Sequence, residues 1–291
     1  MILNLREPSE REKYFKTLRP IDDIMFRTCA QEKTWCQEIL RTVMEDERLK
    51  VIECQAQYYL DNFKRRSVTV DALCILSSGQ AVNIEVQKSG EGVHQKRVRL
   101  HEALITARLT PTGTEFEDIT DVCTVYICKF DIFKHQRAVY HVDRTLREGG
   151  ERLYNGHTEI YVNALARDNS KTAELMKIFI DPAFYNYDSF PEISSLKYQC
   201  LHTQEGRKKM DAILESYIEE IEAASRAEGE KYGRAEGEKY GRAEGEKLGR
   251  ILSAVDLFKE GIFDLAGASR RVNMSEEEFK AVMEELEPET K

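Results

Sequence analysis

Residues 67–87, SVTVDALCILSSGQAVNIEVQ, read as two short strands joined by a tight turn. β-Branched and other apolar residues fill both runs, and Ser77-Ser78-Gly79 supplies turn residues between them. Asp71 falls in the first run, Glu85 and Gln87 in the second. Acidic side chains inside such runs go against strand propensity, and burying them is costly unless a metal or a basic group pairs with them. The turn decides whether they meet. A two-residue loop, Ser78-Gly79, pairs Ser77 with Gln80 and sends Asp71 and Glu85 to opposite faces, because strand side chains alternate. A three-residue loop, Ser77-Ser78-Gly79, pairs Leu76 with Gln80 and sets Asp71 opposite Glu85. Gln87 then lies two residues along the same face, while Val82, Ile84 and Val86 form the other, core-facing side. This apolar pattern favours Asp71, Asn83, Glu85 and Gln87 as the working face.

Two carboxylates so placed suit a hard divalent cation, Mg²⁺ or Mn²⁺, which prefers oxygen ligands. Such an ion polarises a phosphodiester and lowers the pKa of a bound water. Gln87 does not ionise and acts only through hydrogen bonds. Lys88 points to the opposite face if the strand continues, so Lys96, Arg97 and Arg99 are the better suppliers of positive charge.

Outward from the hairpin, Leu49–Leu60 alternates as a strand, with a turn through Asp61-Asn62 and Lys64-Arg65-Arg66. Ser89-Gly90-Glu91-Gly92 breaks the sheet, and residues 93–109 read as a helix with Val98, Leu104 and Ile105 inward. Residues 111–118 form a loop, and VCTVYICKF (122–130) is apolar enough for a strand buried on both faces. Two more short strands, 138–142 and 158–163, flank a polar loop, and helices follow at 172–180 and 193–201. Upstream, IDDIMFRTCAQEKTWCQEILRTVM (21–44) carries one or two amphipathic helices, with Asp22-Asp23 placed to cap exposed N–H groups. Residues 1–20 show no strong pattern.

The chain has 291 residues and a formal net charge of −9. That sum argues against a protein that coats nucleic acid, but it leaves room for a local basic cleft. Seven cysteines are scattered, with no CxxC pair, which points to reduced, buried thiols in the cytoplasm and away from a zinc site. No apolar run approaches the ~18 residues of a membrane span, and the charged start has no signal core.

From about Thr203 the chain becomes a charged helix containing RAEGEKYG, RAEGEKYG, RAEGEKLG (226–249). Each glycine costs up to ~1 kcal/mol in a helix, against ~0.2–0.5 kcal/mol for each i,i+4 pair of the Arg226–Glu230–Arg234 type. The segment is either a weak spacer or a glycine stripe against which another helix packs. Residues 251–287 read as a small helical module, with a first helix over 251–263 and Ser275–Glu278 as a capping box. Its small core points to docking or homo-oligomerisation through these helices.

A D-x13-E-x-Q pattern alone recurs by chance; the order of elements around it gives it weight. That order resembles the PD-(D/E)XK nuclease superfamily, and in particular its nuclease family transposases, also called recombination-promoting nucleases. The resemblance rests on DDIMFR (22–27), Asp71 in VTVDALCIL, Glu85-Val86-Gln87, Arg97-x-Arg99 and VYICKFDIF (125–133), and it covers roughly residues 15–200, with a looser match beyond. The RAEGEKYG-type tail is also similar to tails in that group. It implies an α/β, restriction-endonuclease-like core, a mixed sheet flanked by helices, with a C-terminal helical extension. The expected division is a nuclease-like domain (1–202), a spacer (203–250) and a C-terminal module (251–291). It implies a Mg²⁺- or Mn²⁺-dependent DNA endonuclease. Asp71 and Glu85 are then metal ligands, Gln87 stands in the place of the superfamily's lysine, and Asp23 is an added acid. Arg27, Lys96, Arg97 and Arg99 contact DNA phosphates. Arg27 departs from the usual lysine. The helix reads RVRLHEA where an aromatic after the second Arg is usual, and His101 falls nearby, as a general base or as a partly buried helix histidine. The competing expectation is a catalytically silent nuclease fold that binds DNA or protein and oligomerises through its tail.

Overall fold

Three helices precede the sheet in the computed structural model, which describes residue 5 and residues 7–61, 67–90 and 95–286. They are α1 (Pro8–Thr17), α2 (Asp23–Cys29) and α3 (Lys33–Val43). The polar N-terminal stretch conceals α1: Pro8 presets its first turn, and Phe15 is its one buried residue. Asp22 is the N-cap residue of α2 but makes no side-chain cap. Its carboxylate accepts instead from the Arg19 backbone N–H at 2.9 Å and from Arg19 Nε at 3.2 Å. The capping expected of Asp22 is therefore not made, because Arg19 offers a charge-assisted bond to the same oxygen. On α3, Trp35, Cys36, Ile39, Leu40 and Val43 face the core at helical spacing, and Trp35 lies 5.2 Å from the Phe26 ring, edge to face.

Strands β1 (Val51–Leu60), β2 (Val68–Leu76) and β3 (Ala81–Gln87) form an antiparallel meander. The loop between β2 and β3 has three residues: the Leu76 N–H donates to the Gln80 carbonyl at 2.9 Å. Gly79 sits in it at φ +90°, a conformation costly for any residue with a Cβ. Cys74 pairs with Val82 and Ala72 with Ile84, so the odd-numbered register is the one the chain adopts. The turn at residues 62–66, and the Glu91-Gly92 part of the following break, lie outside the described residues.

Helix α4 (Gln95–Leu109) carries the chain from β3 to the parallel neighbour β4 (Val122–Cys128), whose residues are all buried. Beyond come β5 (Val139–Val142), the ribbon of β6 (Arg144–Thr145) and β7 (Arg152–Leu153), and β8 (His157–Asn163). β8 lies parallel to β4, and β5 pairs antiparallel on its outer side, so the mixed sheet runs β1-β2-β3-β4-β8-β5. α4 covers one face: Ile105 packs with Val70, Leu73, Ala81 and Val122, and Val98 with Tyr126, Cys128 and Tyr161. Along α4 the buried residues are Val98, His101, Glu102 and Ile105, so two polar side chains share the inner face expected to be apolar.

Helices α5 (Lys171–Ile180) and α6 (Pro191–His202) complete the core, α5 against β8 and α6 against α2 and α3. Lys197 on α6 is fully buried, and its ammonium donates to the carbonyls of Ile178, Asp181 and Phe184. A cation there satisfies carbonyls left over at the α5 C-terminus.

The chain divides into two compact units, Met1–Tyr217 and Ile218–Lys291. Helix α7 (Gln204–Lys259) includes the whole repeat. A Cβ built on Gly229, Gly233, Gly237, Gly241, Gly245 or Gly249 meets nothing within 4 Å. Of the charge ladder, Arg242 Nε reaches Glu246 at 3.2 Å. The helix expected at 251–263 is the end of α7: it stops at Lys259, and Gly261 at φ +73° turns the chain. α8 (Leu265–Arg271) and α9 (Glu276–Leu286) fold back so that Ile251, Ala254, Val255, Ala268 and Phe279 make a small core. The capping box closes reciprocally: Glu278 N–H donates to Ser275 Oγ at 3.1 Å, and Ser275 N–H to Glu278 Oε2 at 2.8 Å. Among the described residues, no helix is long and apolar enough to cross a membrane.

Candidate active site

The hairpin register brings the ends of β2 and β3 together at Asp71. Its Oδ2 accepts the Val86 N–H at 2.9 Å, where a ladder bond would otherwise fall. Gln57 Nε2 approaches Oδ1 at 3.4 Å from β1, where Gln57 takes φ +53° between the pairs Ala56–Ala72 and Tyr58–Val70. Burial and then the charge of Glu85 push the Asp71 carboxyl up to about 7; the Val86 N–H opposes this, Asp23 adds to it and Arg27 offsets part of it. Glu85 is almost fully buried. Asn83 Nδ2 donates to its Oε1 at 3.2 Å, and His101 Nδ1 lies 3.2 Å from the same oxygen. An Arg97 guanidinium nitrogen lies 3.7 Å from Oε2.

Helix geometry explains this selection. Arg97 and His101 are four residues apart and share the α4 face turned to Glu85. Lys96 and Arg99 point elsewhere. Arg99 shares the next face with Glu102, Ala103 and Thr106, lining a cavity of about 640 Å³ with Asp121, Tyr154 and His157. Lys96 and Arg99 also line an adjoining hollow with Arg144, His157 and Glu159. Of the four basic residues expected at phosphates, Arg97 reaches the carboxylate pair at Glu85. Arg27 stacks over the Tyr217 ring at 4.8 Å and acts on Asp71 through its field.

Asp23, the first residue of α2, holds Lys88 Nζ at 3.1 Å, with Asp22 at 3.9 Å. Burial works against the ammonium, but Asp23 and Asp22 carry the Lys88 pKa above its usual value. The alternation argument for Lys88 fails because β3 ends at Gln87, which frees the next residue to turn toward α2. Gln87 is partly exposed, and its amide donates to the Ser89 carbonyl at 3.0 Å.

Sequence reasoning set Lys88 aside and missed the ion pair of buried Glu102 with His157, which bridges α4 and the start of β8. Glu159 stands beside that pair. Nothing in local spacing ties Glu102 to a residue 55 positions on.

The donors around Asp71 fit a hard cation: they are carboxylate oxygens, and burial, with the charge of Glu85 added, pushes the Asp71 carboxyl up to about 7 although Arg27 offsets part of it. No curated protein and no solved structure matches the chain. Residues 24–248 match a family described as PD-(D/E)XK nuclease family transposase. The match opens one residue after Asp23, includes Asp71, Glu85, Gln87 and Arg97, and runs on into the last repeat. It spans well over half of the chain, whose helix-flanked mixed sheet is consistent with that fold, and the chain belongs to the PD-(D/E)XK nuclease family transposases.

Proposed function

We propose that the protein is a metal-dependent DNA endonuclease that hydrolyses phosphodiester bonds by attack of water, linked to recombination or mobile elements. The observation that carries this reading is the hairpin register of β2 and β3, which sets Asp71 and buried Glu85 on facing strands under His101 and Arg97 of α4. Asp71 and Glu85 would hold Mg²⁺ or Mn²⁺; when bound, the ion polarises the phosphodiester and acidifies water. His101 and Asn83 fix one oxygen of Glu85 and leave the other toward Arg97. Arg97, whose side chain is 41% exposed, sets a guanidinium at the mouth of the site for a phosphate. Gln87 orients water or phosphate through its amide. Lys88 supplies the ammonium that Gln87 cannot, anchored by Asp23. Arg27, Lys96 and Arg99 extend the phosphate contacts along the DNA.

In this reading residues 1–202 are the nuclease part, 203–250 the spacer and 251–291 a module for homo-oligomerisation. Seven free cysteines favour a reducing, cytoplasmic setting. "Transposase" names the family; no strand-transfer step is part of the proposal.

Supercoiled plasmid incubated with the protein tests it. The expected result is nicking that requires Mg²⁺ or Mn²⁺ and is lost in Asp71→Ala and Glu85→Ala. Nicking that survives either substitution rejects the site. DNA binding without cleavage by the parent protein favours the silent nuclease fold instead.

A further inference from the structure

Three cysteines from three elements meet beneath the β1 edge of the sheet. Cys36 lies on α3, Cys54 on β1 and Cys74 on β2, and Cys54 and Cys74 are direct cross-strand partners. Cys54 Sγ is 3.3 Å from Cys36 Sγ and 3.4 Å from Cys74 Sγ, and all three sulfurs lie within 4.8 Å of one another. The Ala30 carbonyl, at the C-cap of α2, closes a further side at 3.2 Å from Cys54 Sγ and 3.7 Å from Cys36 Sγ. Cys36 and Cys74 are fully buried while Cys54 is partly exposed, which gives an ion a way in.

A buried cysteine ordinarily behaves as a small apolar residue, and a pair such as Cys29 and Cys200, 3.9 Å apart, needs nothing more. Three sulfurs converging with a carbonyl oxygen form a different object, a complete donor set. Sulfurs bound at ~2.3 Å to a common ion stand ~3.7–4.0 Å apart, so this triangle needs only small adjustments.

We propose that Cys36, Cys54 and Cys74 bind one thiophilic cation, Zn²⁺ or Cu⁺, with the Ala30 carbonyl as fourth ligand for zinc. Three metal–sulfur bonds form, the thiol protons leave to solvent, and sulfur keeps its oxidation state. The site does not compete with Asp71 and Glu85, because soft thiolates select Zn²⁺ or Cu⁺ and carboxylates select Mg²⁺ or Mn²⁺. It ties together the end of α2, α3, β1 and β2, and three of these carry Asp23, Gln57 and Asp71. The bound ion is thus a staple behind the acidic cluster.

The experiment uses the full chain, reduced and stripped of metal, titrated without oxygen. Co²⁺ reports thiolate ligation by sulfur-to-cobalt charge-transfer absorption, Zn²⁺ is read by its displacement of Co²⁺, and Cu⁺ by competition with a chromophoric chelator. One equivalent of Zn²⁺ or Cu⁺ is expected, together with a higher Tm of the metal-bound form. Cys54→Ser, at the partly exposed position, is expected to weaken binding by at least the ~10–100-fold that loss of a supporting residue costs, and Cys128→Ala to leave it unchanged. The melt of metal-free Cys54→Ser checks that this variant folds. Absence of the charge-transfer band and of stoichiometric Zn²⁺ or Cu⁺ binding in the reduced parent overturns the proposal, as does unchanged binding in folded Cys54→Ser. None of these readouts depends on nuclease activity.

Discussion

Asp71 keeps its proton to about pH 7 because burial and Glu85 both disfavour its charge, against an ordinary value of 3.8. Between those limits the folded protein binds a proton that the unfolded chain has released. The stability from this group is therefore complete below about pH 4 and is lost as pH rises through about 7. Metal-free protein should melt lower at about pH 8 than at about pH 6 for this reason. Asp71→Asn, which still accepts the Val86 N–H, should raise the Tm at about pH 8 by the equivalent of ~1–3 kcal/mol, the partial exposure of the site limiting the gain. Mg²⁺ should then stabilise the parent and not the variant. A lower Tm for Asp71→Asn would mean that the carboxylate is already satisfied. His101 acts through Glu85, so His101→Ala should cost ~10–100-fold in nicking, with partial rescue by His101→Gln, which can still donate to Glu85. Asp71 and Glu85 were legible in sequence because alternation and turn length are local rules. His101, Lys88 and Glu102 owe their partners to tertiary packing: α4 laid across the sheet, and β3 ending one residue before Lys88.

At the scale of elements, the hairpin turn and the helix ends carry the risk. Gly79→Ala forces a Cβ into φ +90° and should cost about 1–2 kcal/mol, read as a drop in the denaturant midpoint. Lys197→Met orphans the carbonyls of Ile178, Asp181 and Phe184, at roughly 1–3 kcal/mol for each group left without a partner. The repeat gives the opposite sign. Gly233→Ala with Gly241→Ala places two methyl groups in open space on a helix and should raise helicity and stability, by up to ~1 kcal/mol each. A loss of stability, or of self-association, would show instead that another helix packs along the stripe. The strands of the main sheet and most helices could be read from apolar periodicity, whereas the ribbon of β6 and β7 lies in the stretch read as a polar loop. α1 could not, because its fold rests on Pro8 and a single buried phenylalanine. The helix read over 193–201 opens two residues earlier, at Pro191, whose ring presets the first turn of α6.

Across the whole molecule, the sheet order separates what a sequence can tell from what it cannot. The β3–α4–β4 unit follows from a strand, a helix and a buried strand in succession. That β8 slips between β4 and β5 follows from the order of the sheet, and that Cys36 meets Cys54 and Cys74 follows from α3 packing against β1; neither leaves a trace in residue spacing. The same topology creates two acidic settings on the α4 face, Asp71 with Glu85 and Glu102 with His157 and Glu159, and only the first carries the proposed chemistry. Anomalous diffraction at the manganese edge from crystals of the full chain grown with Mn²⁺ distinguishes them directly. A manganese peak bonded to carboxylate oxygens of both Asp71 and Glu85 is the predicted result. No peak there, or manganese only beside Glu102, His157 and Glu159, would contradict it.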